Sequence, residues 1–130
     1  MVGIVIVSHS WKIAEGVKDL AQEMAQDFKG LYAAGGLEDG TIGTDAMRIM
    51  EACQNANDGD GVVILADIGS GIMSAETAVD FIDGEFPVQI ADAPIVEGAI
   101  VAAVEASIGS SFERVIEAAE ETRGFKKLQG

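Results

Sequence analysis

The spacing of hydrophobic positions changes at regular intervals along the chain, and this pattern predicts strands that alternate with helices. Residues 4–7 (Ile-Val-Ile-Val) and 62–66 (Val-Val-Ile-Leu-Ala) are continuous apolar runs, which are typical of parallel strands covered on both faces. After each run, apolar residues recur every three to four positions, as they do on one face of a helix. The predicted strands are residues 2–7, 30–34, 62–66 and 87–91.

A predicted helix follows each strand, and a fifth helix follows the fourth. The first spans residues 11–27, with Ser10 as a candidate N-cap, and the fourth is apolar nearly all round, so it is central or lies in a subunit interface. The second helix starts near Thr44, a candidate N-cap, and the third starts at Ser74. Pro94 suits the start of the fourth, and the fifth starts at Ser110, which has capping-box spacing to Glu113. The predicted inward face of the first helix is Ile13, Val17, Leu20, Ala21, Met24 and Phe28.

This alternation predicts a single α/β domain over residues 1–130, with a doubly wound, mainly parallel sheet and about five helices. The expected strand order is 2-1-3-4, with room for an extra edge strand. In that order the topological switch point lies between the carboxyl ends of strands one and three, where ligands bind in open α/β sheets. We therefore expect the turn after residue 7 and the turn after residue 66 to meet.

Composition narrows the classes of partner. The net charge is −14, which argues against nucleic acid and anionic membranes. Such a charge would attract a basic protein partner, although solubility alone is the first interpretation of most of these charges. No apolar stretch reaches the roughly 20 residues that a membrane span needs, and no signal peptide is recognisable. The single cysteine, Cys53, lies on a predicted helix face, which indicates buried packing and a reducing, cytoplasmic location. Residues 125–130 form a basic tail.

The first turn carries the only histidine of the chain, His9, between Ser8 and Ser10. A histidine after a strand often only packs or bonds to a nearby carbonyl. In this turn, however, the dipole of the following helix favours the neutral imidazole, which can act as a nucleophile. The small side chains of Ser8 and Ser10 leave the ring accessible and are able to hydrogen-bond an anion; for Ser10 the alternative role is the N-cap alone.

The second turn contains Asp67, Gly69, Ser70 and Gly71. A carboxylate bonded to one ring nitrogen of His9 would set the tautomer and leave the other nitrogen free to attack, although Asp67 is equally suited to capping its own loop. The glycines allow close backbone approach, Ser70 adds a hydroxyl, and the amides of the next helix are able to hold an anion. The alternative is an ordinary tight turn.

These parts fit transfer of a phosphoryl group through histidine, which depends on in-line positioning and charge stabilisation. Other chemistries lack their motifs. No G-x-x-x-x-G-K-[ST] loop is present, and one histidine with one cysteine makes no zinc cluster. We therefore predict no metal site; the acidic pairs at residues 38–39 and 58–60 are interpreted as solvated turns.

Four stretches occur in order along nearly the whole chain: IVIVSHS (residues 4–10) with residues 14–17, IGTD (42–45) with 49–52, DIGS (67–70) with 74–78, and APIVEG (93–98). In these stretches the chain resembles the mannose-type IIA domains of the phosphoenolpyruvate-dependent phosphotransferase system, and within them the phosphotransferase subunits of dihydroxyacetone kinase.

The resemblance implies that His9 takes a phosphoryl group from phospho-HPr on Nε2 and passes it to ADP on a partner subunit of dihydroxyacetone kinase. It implies no cofactor on this chain, since ADP and ATP would stay on the partner, and a cytoplasmic homodimer. The same chemistry would serve a mannose-type EIIA component that passes phosphate to an EIIB domain. A flavodoxin-like binding module and an acidic interaction protein without chemistry are also compatible with the pattern of strands, helices and charge.

Overall fold

The computed structural model of the protein describes residues 1–128 and confirms the α/β class and the strand order β2-β1-β3-β4. All three strand pairings are parallel: β1 with β2, β1 with β3, and β3 with β4. Within residues 1–128 the sheet has no fifth strand. The strands are β1 (Gly3–Ser8), β2 (Leu31–Gly35), β3 (Val62–Ala66) and β4 (Val88–Ile90).

Five α-helices flank the sheet, and a 3-10 turn (Thr122–Gly124) follows the last. The third helix begins at Gly69, five residues earlier than the Ser74 start that the sequence predicts. Glycine has a low helix propensity, so the sequence gives no signal for this first turn. In the structure the turn is helical, and Gly71 and Ala75 are buried in it and in the turn that follows. The helices are α1 (Trp11–Met24), α2 (Ala46–Ala56), α3 (Gly69–Ile82), α4 (Ile95–Ser107) and α5 (Phe112–Glu121).

Two predicted helix caps are wrong by one residue. The N-cap of α2 is Asp45, whose side chain accepts the N–H of Met47, and not Thr44. The N-cap of α5 is Ser111 rather than Ser110. An N-cap oxygen must face the N–H groups of the first turn, which the extended backbone of Asp45 and Ser111 provides. The Thr44 hydroxyl is therefore left for other partners.

The sheet separates two hydrophobic layers. Alternate residues of β1 point to opposite faces: Ile4 and Ile6 pack with α1, α4 and α5, whereas Val5 and Val7 pack with α2 and α3. Residues 62–65 of β3 divide in the same way. The continuous apolar runs in the sequence thus belong to strands that are covered by helices on both faces.

The face that α1 buries differs from the predicted one. Ile13, Leu20 and Met24 are 51%, 45% and 59% exposed, while Val17 and Phe28 are buried as predicted. The helix is turned so that small residues approach α4, whose own buried residues are Gly and Ala. Small residues on both helices allow a close approach, and the larger side chains are left outside. The buried residues are Ala14, Val17 and Ala21 on α1, and Gly98, Ala99, Ala102, Ala103 and Ala106 on α4.

The fourth helix is central, the first of the two positions that its composition allowed, since it packs between α1 and α5. Cys53 is buried, and burial raises the pKa of its thiol to about 12. In the basic tail, Lys127 pairs with Glu97, while residues 129–130 lie outside the described part. No helix within residues 1–128 combines the length and the apolar character needed to cross a membrane.

Candidate active site

His9 and Asp67 meet at the carboxyl edge of the sheet, as the switch-point argument predicts. Parallel pairing of β1 with β3 places Val7 beside Ala66, so the turns that follow the two strands lie side by side. Nδ1 of His9 is 3.0 Å from each carboxylate oxygen of Asp67. The two side chains are 23% and 16% exposed, so the pair is mostly covered but open to solvent on one side.

Asp67 is held by donors on both of its oxygens. The main-chain N–H of His9 (2.9 Å) and the hydroxyl of Ser8 (3.0 Å) donate to Oδ2, and the N–H of Ile68 (2.7 Å) donates to Oδ1. Burial alone would raise the pKa of Asp67, but these hydrogen bonds and that of the His9 ring outweigh it and lower its pKa below the ordinary value. The carboxylate is therefore fixed in place in its charged form.

This arrangement sets the tautomer of His9. A charged carboxylate only accepts hydrogen bonds, so Nδ1 of His9 carries the proton that faces Asp67. In the neutral ring the lone pair is then on Nε2, which lies 2.6 Å from Oγ of Ser70, so that the Ser70 hydroxyl is able to donate to it. The nitrogen that is free of the carboxylate is thus the one at the open side of the site, next to a hydroxyl.

The first turn of α3 supplies further donors beside Ser70. Among residues 1–128, the N–H groups of Gly69 and Ser70 have no hydrogen-bond acceptor, and no side chain caps this helix. Gly71 is required where the helix passes the His9–Asp67 pair, because an added Cβ would lie 2.5 Å from Oδ1 of Asp67. Donors at a helix start beside an imidazole suit an anion such as a phosphoryl group.

The two serines beside His9 have different surroundings. Ser8 is completely buried, so it does not face a bound anion; its hydroxyl donates to Asp67 and accepts the N–H of Ser10. Ser10 caps α1 by accepting the N–H of Ile13 at 3.3 Å. The capping role that the sequence allowed for Ser10 is therefore present in the structure, whereas phosphate binding by Ser10 stays a prediction.

Sequence reasoning missed two residues of the loop between β2 and α2 that contact the site. The N–H of Gly43 donates to the carbonyl of His9 (2.9 Å), and the Thr44 hydroxyl lies 2.7 Å from Oγ of Ser74 on α3. The available signal was the IGTD stretch, which carries the family resemblance but has no chemistry of its own. Across residues 1–128, no group of three or more His, Cys, Asp or Glu side chains is arranged to hold a metal.

The family model for EIIA-man, described as the PTS system fructose IIA component, matches residues 3–116. The chain therefore belongs to this family of phosphotransferase-system IIA domains. The matched range contains all four strands and the site residues, which lie between Ser8 and Ser74.

Within this family, the chain is similar to several proteins named as subunits of dihydroxyacetone kinase. It is 40% identical over 119 residues to a Listeria innocua protein named PEP-dependent dihydroxyacetone kinase 2, phosphoryl donor subunit DhaM, with 90% of this chain and 95% of that protein covered. A Lactococcus lactis phosphotransferase subunit DhaM is also 40% identical, with 91% and 93% covered. A Providencia stuartii phosphoryl donor subunit DhaM is 40% identical over 99% of this chain, but the chain spans only 28% of its length.

Solved structures support the fold. A crystal structure of EF1359, a protein of unknown function, matches with a TM-score of 0.82 at 28% identity and covers 99% of this chain and all of that chain. An EIIA component of the phosphotransferase system from Streptococcus agalactiae matches with a TM-score of 0.72 at 13% identity, with 98% and 97% covered. At that identity the second match concerns the fold alone.

Proposed function

We propose that this chain is a phosphohistidine carrier: His9 accepts a phosphoryl group from phospho-HPr and passes it to ADP on a partner subunit of dihydroxyacetone kinase. The observation that carries the proposal is the contact of Nδ1 of His9 with both oxygens of Asp67, which leaves the Nε2 lone pair at the open side. The names of the relatives, above all the Listeria innocua protein that the chain covers almost completely, support the dihydroxyacetone kinase branch.

The proposed chemistry is two in-line displacements. In the first, the lone pair of Nε2 attacks phosphorus as the bond between phosphorus and the donor breaks. The imidazole gains positive charge, which Asp67 stabilises through the Nδ1–H that it already holds. In the second, an oxygen of the terminal phosphate of ADP attacks the same phosphorus, the Nε2–P bond breaks, and the neutral imidazole returns as ATP forms on the partner.

The phosphoryl group would rest against the first turn of α3. The Ser70 hydroxyl, now 2.6 Å from Nε2, would turn to donate to a phosphoryl oxygen, and the N–H groups of Gly69 and Ser70 are available as donors. Gly71 contributes by letting the helix approach the pair. Ser10 is a further candidate, because its oxygen accepts the N–H of Ile13 while its hydroxyl proton is available to a phosphoryl oxygen. In this proposal the chain needs no cofactor of its own, since the nucleotide stays on the partner.

Partners would dock on a ring of exposed apolar side chains around the site, here called the rim. Its members lie on the segments that bear or contact the site residues, and Ile68 and Met73 are 70% and 67% exposed. Because His9 must reach both donor and acceptor, both would use this rim in turn, and the net charge of −14 would attract basic partner surfaces. The rim consists of Trp11, Ile42, Met47, Ile68, Ile72 and Met73.

The expected homodimer has a candidate surface on α1. Ile13, Leu20 and Met24 form an exposed apolar stripe on the side that faces away from the core, whereas α4 packs against α1 and α5 and exposes Val96 near its start. In the proposal this stripe pairs with its copy. Sedimentation of the protein and of a Leu20→Glu variant tests it, with a change from dimer to monomer as the expected result. The buried free thiol of Cys53 fits the reducing cytoplasm as the place of action.

The decisive experiment is incubation with phosphoenolpyruvate, enzyme I and HPr, followed by mass spectrometry. The expected result is an acid-labile gain of one phosphate that is absent in His9→Ala, although that variant keeps the circular dichroism spectrum and unfolding midpoint of a folded protein. A labelled His9→Ala variant would overturn the mechanism. Purified ADP-loaded kinase subunit is then added to the phosphorylated protein, and formation of ATP is measured.

A second candidate acceptor is an EIIB domain of a sugar transport system. It is favoured by the family model, which describes a sugar-system IIA component. The histidine chemistry would be the same, so only the acceptor step separates the two. Loss of the phosphate to an EIIB domain, without ATP formation on the kinase subunit, would replace the first proposal by the second.

A further inference from the structure

The loop at residues 36–45 contacts both halves of the site through two consecutive residues. Gly43 donates its N–H to the carbonyl of His9 at 2.9 Å. Thr44 places its hydroxyl 2.7 Å from Oγ of Ser74 and 3.4 Å from the carbonyl of Ser70. The loop therefore links the turn that carries the imidazole to the helix turn that carries the Ser70 hydroxyl.

Gly43 is held by a close contact with Leu37, which itself forms hydrogen bonds within the loop. The backbone of Gly43 has φ +150°, which side-chain-bearing residues rarely adopt, and an added Cβ would lie 3.0–3.1 Å from three carbons of Leu37. Leu37 in turn exchanges backbone hydrogen bonds with Gly40 and Thr41. The loop is thus internally braced, and the position of Thr44 relative to His9 is set by the backbone.

Thr44 contacts the glycine-containing first turn of α3. α3 has no side-chain N-cap, and Ser70 is exposed and flanked by Gly69 and Gly71. Glycines on both sides give this turn more conformational freedom than other residues would. Since Asp45 caps α2, the Thr44 hydroxyl is not needed for that purpose. Within residues 1–128, its hydrogen-bond partners all lie on α3.

We propose that Thr44 is a positioning residue for the transfer: through Ser74 and the Ser70 carbonyl it holds the first turn of α3 so that the Ser70 hydroxyl meets Nε2 of His9. The geometry is a closed circuit from His9 through Gly43, Thr44 and Ser70 back to His9. The role in transfer rests on the proposed function, whereas the effect on the resting site does not. This gives the IGTD stretch a task that its residue types alone did not indicate.

The test compares Thr44→Val, which is close in shape but lacks the hydroxyl, with Thr44→Ser, which restores it. Thr41→Val is the matched control, because it removes a hydroxyl from the same loop whose partner is Asp39 and not α3. The first readout is the ¹⁵N chemical shift of Nε2 of His9 in the unphosphorylated protein. The second is the rate of phosphorylation by phospho-HPr.

In Thr44→Val we expect the Nε2 resonance to move towards that of a nitrogen without a donated hydrogen bond. Loss of one positioning hydrogen bond should also slow phosphorylation by about three- to tenfold. Thr44→Ser should restore both values, and Thr41→Val should leave both unchanged. Ser74→Ala removes the other hydroxyl of the 2.7 Å contact and should move both values in the same direction as Thr44→Val, which keeps the test valid should Thr44→Val fold poorly.

The positioning proposal is overturned if the Nε2 shifts of Thr44→Val and Ser74→Ala match that of Thr41→Val. This outcome differs from failure of the proposed function, in which the unaltered protein takes up no phosphate at all. A Thr44-dependent Nε2 shift in a protein that is never phosphorylated would support the positioning role and reject the transfer. If the protein is phosphorylated but its Nε2 shift is unaffected by the Thr44 substitutions, the transfer is supported and the positioning role is rejected.

Discussion

Asp67 binds two different parts of His9 at once: its carboxylate lies 3.0 Å from Nδ1 of the ring and accepts the main-chain N–H of the same residue at 2.9 Å. The ring and the backbone of His9 are thus both held by one charged group, which lies 58 positions away in the chain. The imidazole is held by Asp67 at one nitrogen and by Ser70 at the other. Removing either contact therefore has consequences that can be measured.

Asp67→Asn should slow phosphorylation of His9 without preventing folding. Asparagine presents an amide in place of one acceptor oxygen, so the protonation of Nδ1 is no longer enforced and the developing charge is not balanced. A hydrogen bond to a charged group contributes roughly 1.5–3 kcal/mol, which corresponds to about a ten- to hundredfold lower rate. Stopped-flow or quenched-flow labelling by phospho-HPr measures it. An unchanged rate would reduce Asp67 to a structural role.

The stability that Asp67 contributes should depend on pH in a defined direction. Its pKa is lowered in the folded protein, so as the pH falls the unfolded chain takes up a proton first. The contribution is therefore complete above about pH 4, the ordinary range of an aspartate, and is lost as the pH falls through the lower folded-state pKa. Urea unfolding from about pH 6 to about pH 3 should show a gap between the protein and Asp67→Asn that narrows only at the acidic end.

The His9→Ala background provides the control for this pH dependence. The N–H groups of residues 9 and 68 and the Ser8 hydroxyl still donate to Asp67 there, so the gap should narrow in the same direction when the ring is absent. A gap that widens on acidification, or one that disappears in this background, would assign the effect to the imidazole instead.

Gly71→Ala should impair the site while leaving the fold intact. The new Cβ would lie 2.5 Å from Oδ1 of Asp67 and 3.4 Å from Cε1 of His9, and Asp67 cannot yield easily because donors hold both of its oxygens. We expect phosphorylation to slow by about tenfold or more, as loss of one charged hydrogen bond would do. Gly16→Ala in α1 is the control, since its Cβ meets nothing within 4 Å. That variant should transfer normally and gain about 0.5–1 kcal/mol of stability.

Ile68→Ala should weaken docking on the rim without altering the phosphorylated histidine; alanine is chosen because a serine at this N-cap position would bond to the first turn of α3. The side chain is 70% exposed beside the site, so its loss removes apolar area that a partner would bury. The HPr concentration at half-maximal rate should rise by about tenfold, equivalent to about 1.4 kcal/mol. Ile108→Ala is the matched control, because Ile108 is 72% exposed at the far end of α4. Equal effects of the two variants would argue against the rim.

Much of the fold could be predicted because its signals are local and repeated. The bounds of β3 were predicted to the residue, since Val62–Ala66 is an uninterrupted apolar run between turn residues. The meeting of His9 with Asp67 also followed, because parallel strands end at the same edge and the order 2-1-3-4 makes β1 and β3 neighbours. The start of α3 was missed, since Gly69 and Gly71 give no helix signal.

By itself, the sequence determined the alternation of strands and helices, the strand order and the one available imidazole, because periodicity and residue type are properties of short stretches. Only the tertiary structure decided which side of α1 faces the core, since Ile13 and Ala14 are both apolar and the close packing of small residues against α4 selects between them. It also decided that Ser8 faces Asp67 and that Thr44 bonds to α3. Those contacts depend on distances between turns that are far apart in the chain, and no local pattern carries them.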